Sequence, residues 1–250
     1  NSKGEFTLGQ EKILKCPTPI GVVDSRCFMN TNRPHVAILG DSHAGSLAHG
    51  FSEAENPSYS KFIALYAGNC HPTIDLDARC TKQSEYSLQK LKEFKSLDLI
   101  IITGNSSIIE NDEHFTIDDY ANGYSNLLKR LSLLTKNTIF IVDAPHLPDT
   151  PQNCGKFGLP LRDLMNIKRD ICQQPISIST ISGEKYRQFI SKLKDQNPEL
   201  VIYNPDNIFY SQGIIKIQIE NKLLFSDSHH LSDYGSKLLV DNLLKNLSEK

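Results

Sequence analysis

Short apolar runs recur along this chain, each followed by a stretch with helical spacing, and that alternation constrains the fold more than any other feature. Val36 to Leu39, Phe62 to Tyr66, Leu99 to Thr103, Thr138 to Val142 and Leu200 to Tyr203 each hold four or five residues. Runs so short and apolar suit strands buried on both faces of a parallel sheet. Between them lie stretches that space apolar residues helically: 44–54, Ser84 to Phe94, Asp118 to Leu134, Glu184 to Lys194 and 233–247. The clearest is Asp118 to Leu134, which puts Tyr120, Tyr124, Leu127, Leu128, Leu131 and Leu134 on one side. Strand and helix in alternation predict an α/β fold: a three-layer, flavodoxin-like parallel sheet of about five strands with helices on both faces. The expected strand order is 2-1-3-4-5, with any ligand beyond the carboxyl ends of the strands, beside strand one.

The remaining segments read differently. Residues 1–33 are polar and rich in Pro, Gly and Asn, and read as an irregular lead-in ahead of a domain at 34–250. Ala144 to Ser182 breaks into Pro, Gly, Asn and Gln; ordered connections of that length are usually functional or lid-like. Ile214 to Phe225 reads as a small antiparallel hairpin turning at Glu220-Asn221-Lys222.

Composition narrows the class of partner. With 250 residues and 39% hydrophobic content there is ample core for one large α/β domain or two small ones. The formal net charge of −2 gives no reason to expect nucleic acid or an anionic membrane surface. No apolar stretch approaches the ~20 residues of a membrane span. The chain starts at Asn1 without a signal pattern, which reads as a processed or excised piece. Its six cysteines, Cys16, Cys27, Cys70, Cys80, Cys154 and Cys172, fall as three local pairs. Six cysteines allow fifteen connectivities, and nearest-neighbour pairing is the simplest. Three disulfides in loop-like sequence imply an oxidising compartment; buried free thiols in a cytosolic protein are the alternative. No C-x-x-C spacing suggests zinc, and His71, His114 and His146 are scattered in loops, where they read as surface residues. No metal is expected.

The chemistry concentrates at two places. Strand one ends in Gly40-Asp41-Ser42-His43, followed by a helix, so Ser42 sits where free backbone N–H groups favour negative charge. A serine there is a nucleophile only if a base reaches it. That base is offered near the other end, in Ser226-Asp227-Ser228-His229-His230-Leu231-Ser232. Asp227 and His230 are spaced so that, on a turn, the carboxylate holds one imidazole nitrogen while the other faces away, as a Ser–His–Asp triad requires. Singly, Ser42 reads as a helix N-cap, Asp227 and Ser232 as turn or cap residues, and His229 and His230 as surface histidines. Asp143, ending strand four, reads either as a cap or as a residue lining the site.

With those blocks in hand, the chain resembles the SGNH (GDSL-like) hydrolase superfamily. It is most similar to the SGNH domains fused to acyltransferase type 3 membrane proteins, which O-acetylate bacterial surface polysaccharides such as O-antigen. Gly40-Asp41-Ser42-His43, Asp227-Ser228-His229-His230-Leu231-Ser232, the local cysteine pairs and Val142-Asp143-Ala144-Pro145-His146-Leu147-Pro148 carry that resemblance. It implies Ser42 as nucleophile, His230 as general base and Asp227 as its orienter. It also implies an oxyanion hole from the Ser42 N–H, a glycine N–H and an asparagine side chain, for which Gly68 and Asn105 are the candidates. The family's third block is usually Gly-x-Asn-Asp; here Gly104-Asn105-Ser106-Ser107 places the asparagine one residue early. The implied setting is periplasmic, with a fused membrane acyltransferase on the N-terminal side and a carbohydrate acceptor. The domain itself would hold no cofactor, and the acetyl group would come through the membrane partner, ultimately from acetyl-CoA. A free-standing carbohydrate esterase would use the same residues. A polysaccharide-binding module without catalysis is the third reading.

Overall fold

A computed structural model describes residues 14–148, 150–151 and 183–249, with the backbone of 173–175. In chain order the elements begin with strands β1 (Leu14–Lys15), β2 (Ser25–Met29) and β3 (Val36–Gly40), followed by helix α1 (Ser42–Ser52). Next come β4 (Phe62–Ala67), α2 (Ala78–Leu91), β5 (Leu99–Ile102), α3 (Ser106–Asn111), α4 (Ile117–Leu131), β6 (Thr138–Ile141) and β7 (Gln173–Pro175). The chain closes with α5 (Glu184–Gln196), β8 (Val201–Tyr203), α6 (Asp206–Phe209), β9 (Tyr210–Ser211), β10 (Ile214–Lys216), β11 (Gln218–Ile219), β12 (Lys222–Leu223) and α7 (Asp233–Ser248).

The main sheet has seven strands in the order β1-β2-β4-β3-β5-β6-β8. Its parallel part, β4-β3-β5-β6-β8, follows the order expected from the sequence, with α1, α2, α4 and α5 in the connections between its strands. The segment before Pro34 departs from its irregular reading. Ser25–Met29 pairs antiparallel with β4, and Leu14–Lys15 pairs with β2, so this segment extends the sheet. Disulfides Cys16–Cys27 and Cys70–Cys80 staple that edge, as nearest-neighbour pairing predicts. Cys154 and Cys172, and most of the stretch read as lid-like, lie outside the described residues.

Both faces of the sheet's centre are covered, which explains why β3, β4 and β5 are apolar throughout. On β3, Val36 and Ile38 face α1 and α7, meeting Leu47, Phe51, Leu239 and Leu243. Ala37 and Leu39 face the opposite layer, with Leu88 of α2, Leu127 and Leu131 of α4, and Phe189 of α5. Helix α4 starts where a capping box satisfies its first N–H groups: Thr116 accepts from Asp119 N, and Asp119 holds the Thr116 N–H. Helix α2 begins earlier than its periodicity suggests, because Asp77 caps it through Cys80 N. Helices α1 and α7 touch at Gly50, where an added Cβ would stand 2.4 Å from the Ser236 carbonyl oxygen. The expected late hairpin is shorter than its sequence reading: β11 and β12 pair across a turn at Glu220 and Asn221 with φ of 50° and 62°, whereas Ile214–Lys216 pairs antiparallel with β9 and β7.

Candidate active site

Strand β3 delivers Ser42 to the carboxyl end of the sheet as the first residue of α1. Gly40 is needed there, since a Cβ on it would fall 2.1 Å from the Thr103 carbonyl oxygen. Asp41 is fully buried and its two carboxylate oxygens have separate duties. One accepts from His43 N at 2.9 Å and caps α1, while the other accepts from Asn105 N at 2.7 Å. The aspartate of the first block therefore starts the nucleophile's helix and also anchors the loop after β5. The Ser42 N–H has no hydrogen-bond partner among the described residues, as is usual for the first N–H groups of a helix.

The base comes from the turn before α7. Asp227 accepts from the N–H groups of His229 and His230 at 2.9 and 2.8 Å, which curls the turn around the carboxylate. Its second oxygen takes His230 Nδ1–H at 2.7 Å. His230 Nε2 is thereby left as the acceptor, and it lies 2.8 Å from Ser42 Oγ. Burial works to raise the Asp227 pKa, but the two N–H bonds and the His230 ring outweigh it and bring it to about 2. The carboxylate is thus ionised at any working pH, ready to support a positive charge on His230. Leu147 N donates to Ser228 O at 2.7 Å, and Ser232 caps α7 through Gly235 N at 3.0 Å, fixing the turn on both sides. The structure brings Ser42, His230 and Asp227 together.

The two implied oxyanion donors fare differently. Asn105 caps α3: its Oδ1 accepts from Ser107 N at 2.9 Å and from Ser107 Oγ at 2.7 Å, which directs the amide NH2 the other way. No partner among the described residues takes that NH2. Its backbone is clamped by Asp41 on the N–H and by His71 Nε2–H on the carbonyl, at 3.1 Å. The early position of this asparagine is thus compatible with a fixed loop. Gly68 is corrected. Its N–H donates to Asp24 O at 3.3 Å, closing the turn at the sheet edge, so it is not free to receive an oxyanion.

His71 and His146 are also corrected, because neither is an ordinary surface residue. His71 is 4% exposed; its Nδ1 accepts from Tyr124 OH at 2.5 Å, and burial lowers its pKa, so it stays a neutral Nε2–H donor. His146 Nε2 reaches Asp143 at 3.0 Å. Sequence reasoning passed over His43 altogether and left Asp143 undecided. His43 Nδ1 donates to Asp143 Oδ1 at 2.6 Å, and Asp143 Oδ2 also accepts from Ser106 N at 2.7 Å. Both side chains are buried, 7% and 2% exposed. Burial opposes charge on each, but their mutual attraction wins: the His43 pKa is raised and that of Asp143 is held far below the carboxylate range. The available signal was that Asp143 and the Ser-adjacent His43 follow the carboxyl ends of β6 and β3, two parallel strands separated in the sheet by β5 alone.

Rings of His43, His146, His229 and His230 cluster here, with centroids 4.2–5.9 Å apart. His43, His229 and His230 offer nitrogens within 4.8 Å of one another, and so do His43 and His146 with an Asp143 oxygen. His230 Nε2 is already engaged by Ser42, and His43 Nδ1 by Asp143. Cys70, Asp77 and Cys80 have similar spacing, but both sulfurs are in a disulfide. No described helix is long and apolar enough to cross a membrane.

Comparisons with known proteins bear on the family and the fold. A family model described as "SGNH domain (fused to AT3 domains)" matches residues 15–245. The structure is similar to the periplasmic domain of a lipopolysaccharide acetyltransferase from Salmonella ser. Paratyphi A, with a TM-score of 0.61 at 16% identity over 88% of this chain and 85% of that one. It is also similar to a putative platelet activating factor from Streptococcus pneumonia, with a TM-score of 0.53 at 14% identity over 86% and 84%. A carbohydrate acetylesterase from Sinorhizobium meliloti aligns with a TM-score of 0.47 at 14% identity over 87% and 99%. No curated protein sequence matches the chain.

Proposed function

The chain belongs to the SGNH domains that are fused to AT3 domains, and on that premise we propose that it transfers an acetyl group to a bacterial surface carbohydrate through Ser42. The observation that carries the proposal is the continuous chain of hydrogen bonds from Ser42 Oγ through His230 to Asp227, at 2.8 and 2.7 Å. Ser42 Oγ attacks the carbonyl carbon of an acyl donor while His230 Nε2 takes its proton. Asp227 holds the imidazole in the tautomer that can do so and stabilises the imidazolium that forms. The oxygen that becomes negative is met by the Ser42 N–H and by the Asn105 amide, each such donor being worth ~10²–10³ in rate. The proton on His230 passes to the departing group, leaving Ser42 acylated. In the second half, His230 removes a proton from a sugar hydroxyl, which attacks the acyl-serine and leaves as the acetylated sugar, with Ser42 reprotonated. Water in place of the sugar gives hydrolysis by the same steps.

The donor side follows from the AT3 fusion that defines the family: a membrane domain would hand over acetyl drawn ultimately from acetyl-CoA, and this domain would need no cofactor. The disulfides Cys16–Cys27 and Cys70–Cys80 support a periplasmic address, because such bonds persist in oxidising compartments. The test is Ser42→Ala in the full-length protein, scored by acetylation of surface polysaccharide. The proposal expects acetylation to fall to background; unchanged acetylation refutes it.

A further inference from the structure

We propose that His43 and Asp143 are a positioning pair that holds the nucleophile turn and the oxyanion loop in register, over and above the Ser42–His230–Asp227 relay. The inference rests on the reading of Ser42 as nucleophile. Asp143 stands at the end of β6 and receives three donors from three places: His43 in the first turn of α1, Ser106 N at the start of α3, and His146 from the following loop. Its own N–H is held by Tyr186 OH at 3.1 Å, which locks the carboxylate from behind. His43 is the neighbour of Ser42, and Ser106 is the neighbour of Asn105. One carboxylate therefore spans from the residue beside the nucleophile to the residue beside the amide donor. Asp41 makes the parallel tie through the backbone, from His43 N to Asn105 N. The two carboxylates fix the same pair of loops from two sides.

A purely structural role explains this arrangement poorly. Removing two charges from water costs several kcal/mol each, and apolar side chains of similar volume commonly do as well or better. A cavity of about 20 Å³ lies against His43 and Asp143, room for one water. The buried His43 Nε2 has no protein hydrogen-bond partner among the described residues, so the ring's only protein anchor is Asp143. What the pair supplies is placement: catalysis needs the attacking oxygen and the oxyanion donors fixed together, and a shift of ~1 Å costs ~10² in rate. Because the pair acts on groups used in the transition state, its loss should lower kcat and leave KM nearly unchanged.

The test uses the chain with a small acetyl ester as acyl donor, reading kcat, KM and thermal midpoint for five variants. His43→Leu and Asp143→Asn should lower kcat about 10²-fold with KM within about threefold. His43→Gln keeps a donor for Asp143 and should recover about tenfold of that loss. The double variant His43→Leu/Asp143→Leu removes both charges but also strips Ser106 N of its acceptor, so its midpoint should rise above that of His43→Leu without reaching the wild-type value, while kcat stays low. Wild-type kcat in His43→Leu, or recovery of kcat along with the midpoint in the double variant, overturns the proposal. If the double variant does not fold, His43→Gln against His43→Leu decides by the same criterion. Ser42→Ala, run alongside, separates the two claims. Retained turnover there defeats the nucleophile reading, whereas loss there with wild-type kcat in His43→Leu defeats only the positioning pair.

Discussion

Asp41→Asn isolates one hydrogen bond of the site and makes a sharp prediction. In the wild type one carboxylate oxygen caps α1 at His43 N and the other accepts from Asn105 N, at 2.9 and 2.7 Å. An asparagine has one acceptor and one donor end, so whichever way its amide lies, one backbone N–H faces another N–H. Keeping the oxygen on His43 N preserves the cap and leaves Asn105 N unpaired in a buried site. An unpaired buried N–H costs about 1–3 kcal/mol, and in a chain of 250 residues 2 kcal/mol corresponds to roughly 4–8 °C in the melting temperature. The larger consequence is catalytic. With its anchor gone, Asn105 no longer holds its amide in place, and losing an oxyanion donor costs ~10²–10³ in kcat, about 2.7–4 kcal/mol. The assay is steady-state hydrolysis of an acetyl ester by Asp41→Asn, Asn105→Ala and the double variant. The account expects each single change to lower kcat about 10²-fold and the double change to add little, because both remove one function. Full additivity of the two losses, or wild-type kcat in Asp41→Asn, would refute the coupling between Asp41 and Asn105.

Three further expectations follow from the same contacts. Burial holds His71 neutral below its ordinary pKa of 6.5, whereas the unfolded chain takes up a proton there, so stability present above pH 6.5 is lost as pH falls toward the lowered folded value. His71→Gln should flatten the fall in melting temperature between pH 7 and 5, and an unchanged slope contradicts the assignment. Replacing both Cys70 and Cys80 by serine opens a loop of sequence separation 10 and should cost about 2–3 kcal/mol, measured by urea unfolding of the oxidised wild type against the variant. Gly50→Ala places a methyl group 2.4 Å from the Ser236 carbonyl oxygen. It should destabilise by about 1–3 kcal/mol by forcing α1 and α7 apart, and an unshifted melting curve counts against that close approach.

How much the residues disclosed depended on how local the determining interaction is. The parallel strands were legible because Val36 to Leu39 and its central counterparts are buried on both faces and carry no polar alternation, while the edge strand β8, though partly exposed, keeps the apolar run Val201-Ile202-Tyr203. Asp227 and His230 were legible because three residues on one turn settle their contact. Strand β2 was hidden: Ser25–Met29 mixes Ser, Arg and Met, and only its antiparallel partner β4 makes it a strand. Gly68 was a candidate because the family resemblance implies a glycine N–H donor and Gly68 follows the second strand, but its N–H is committed to Asp24, far away in sequence. His71, His43 and Asp143 owe their roles to contacts spanning 34 to 100 residues, which no spacing rule reports. Asn105 was found with its offset unexplained; the clamp from Asp41 and His71 is a tertiary feature.

The central claim is that an acyl group resides on Ser42 during turnover. The most direct measurement is mass spectrometry of the chain quenched during reaction with an activated acetyl ester, followed by mapping of the modified peptide. The account predicts one added acetyl group on the peptide that contains Ser42, absent from Ser42→Ala. Continued turnover with no adduct, or an adduct on another residue that Ser42→Ala retains, contradicts it.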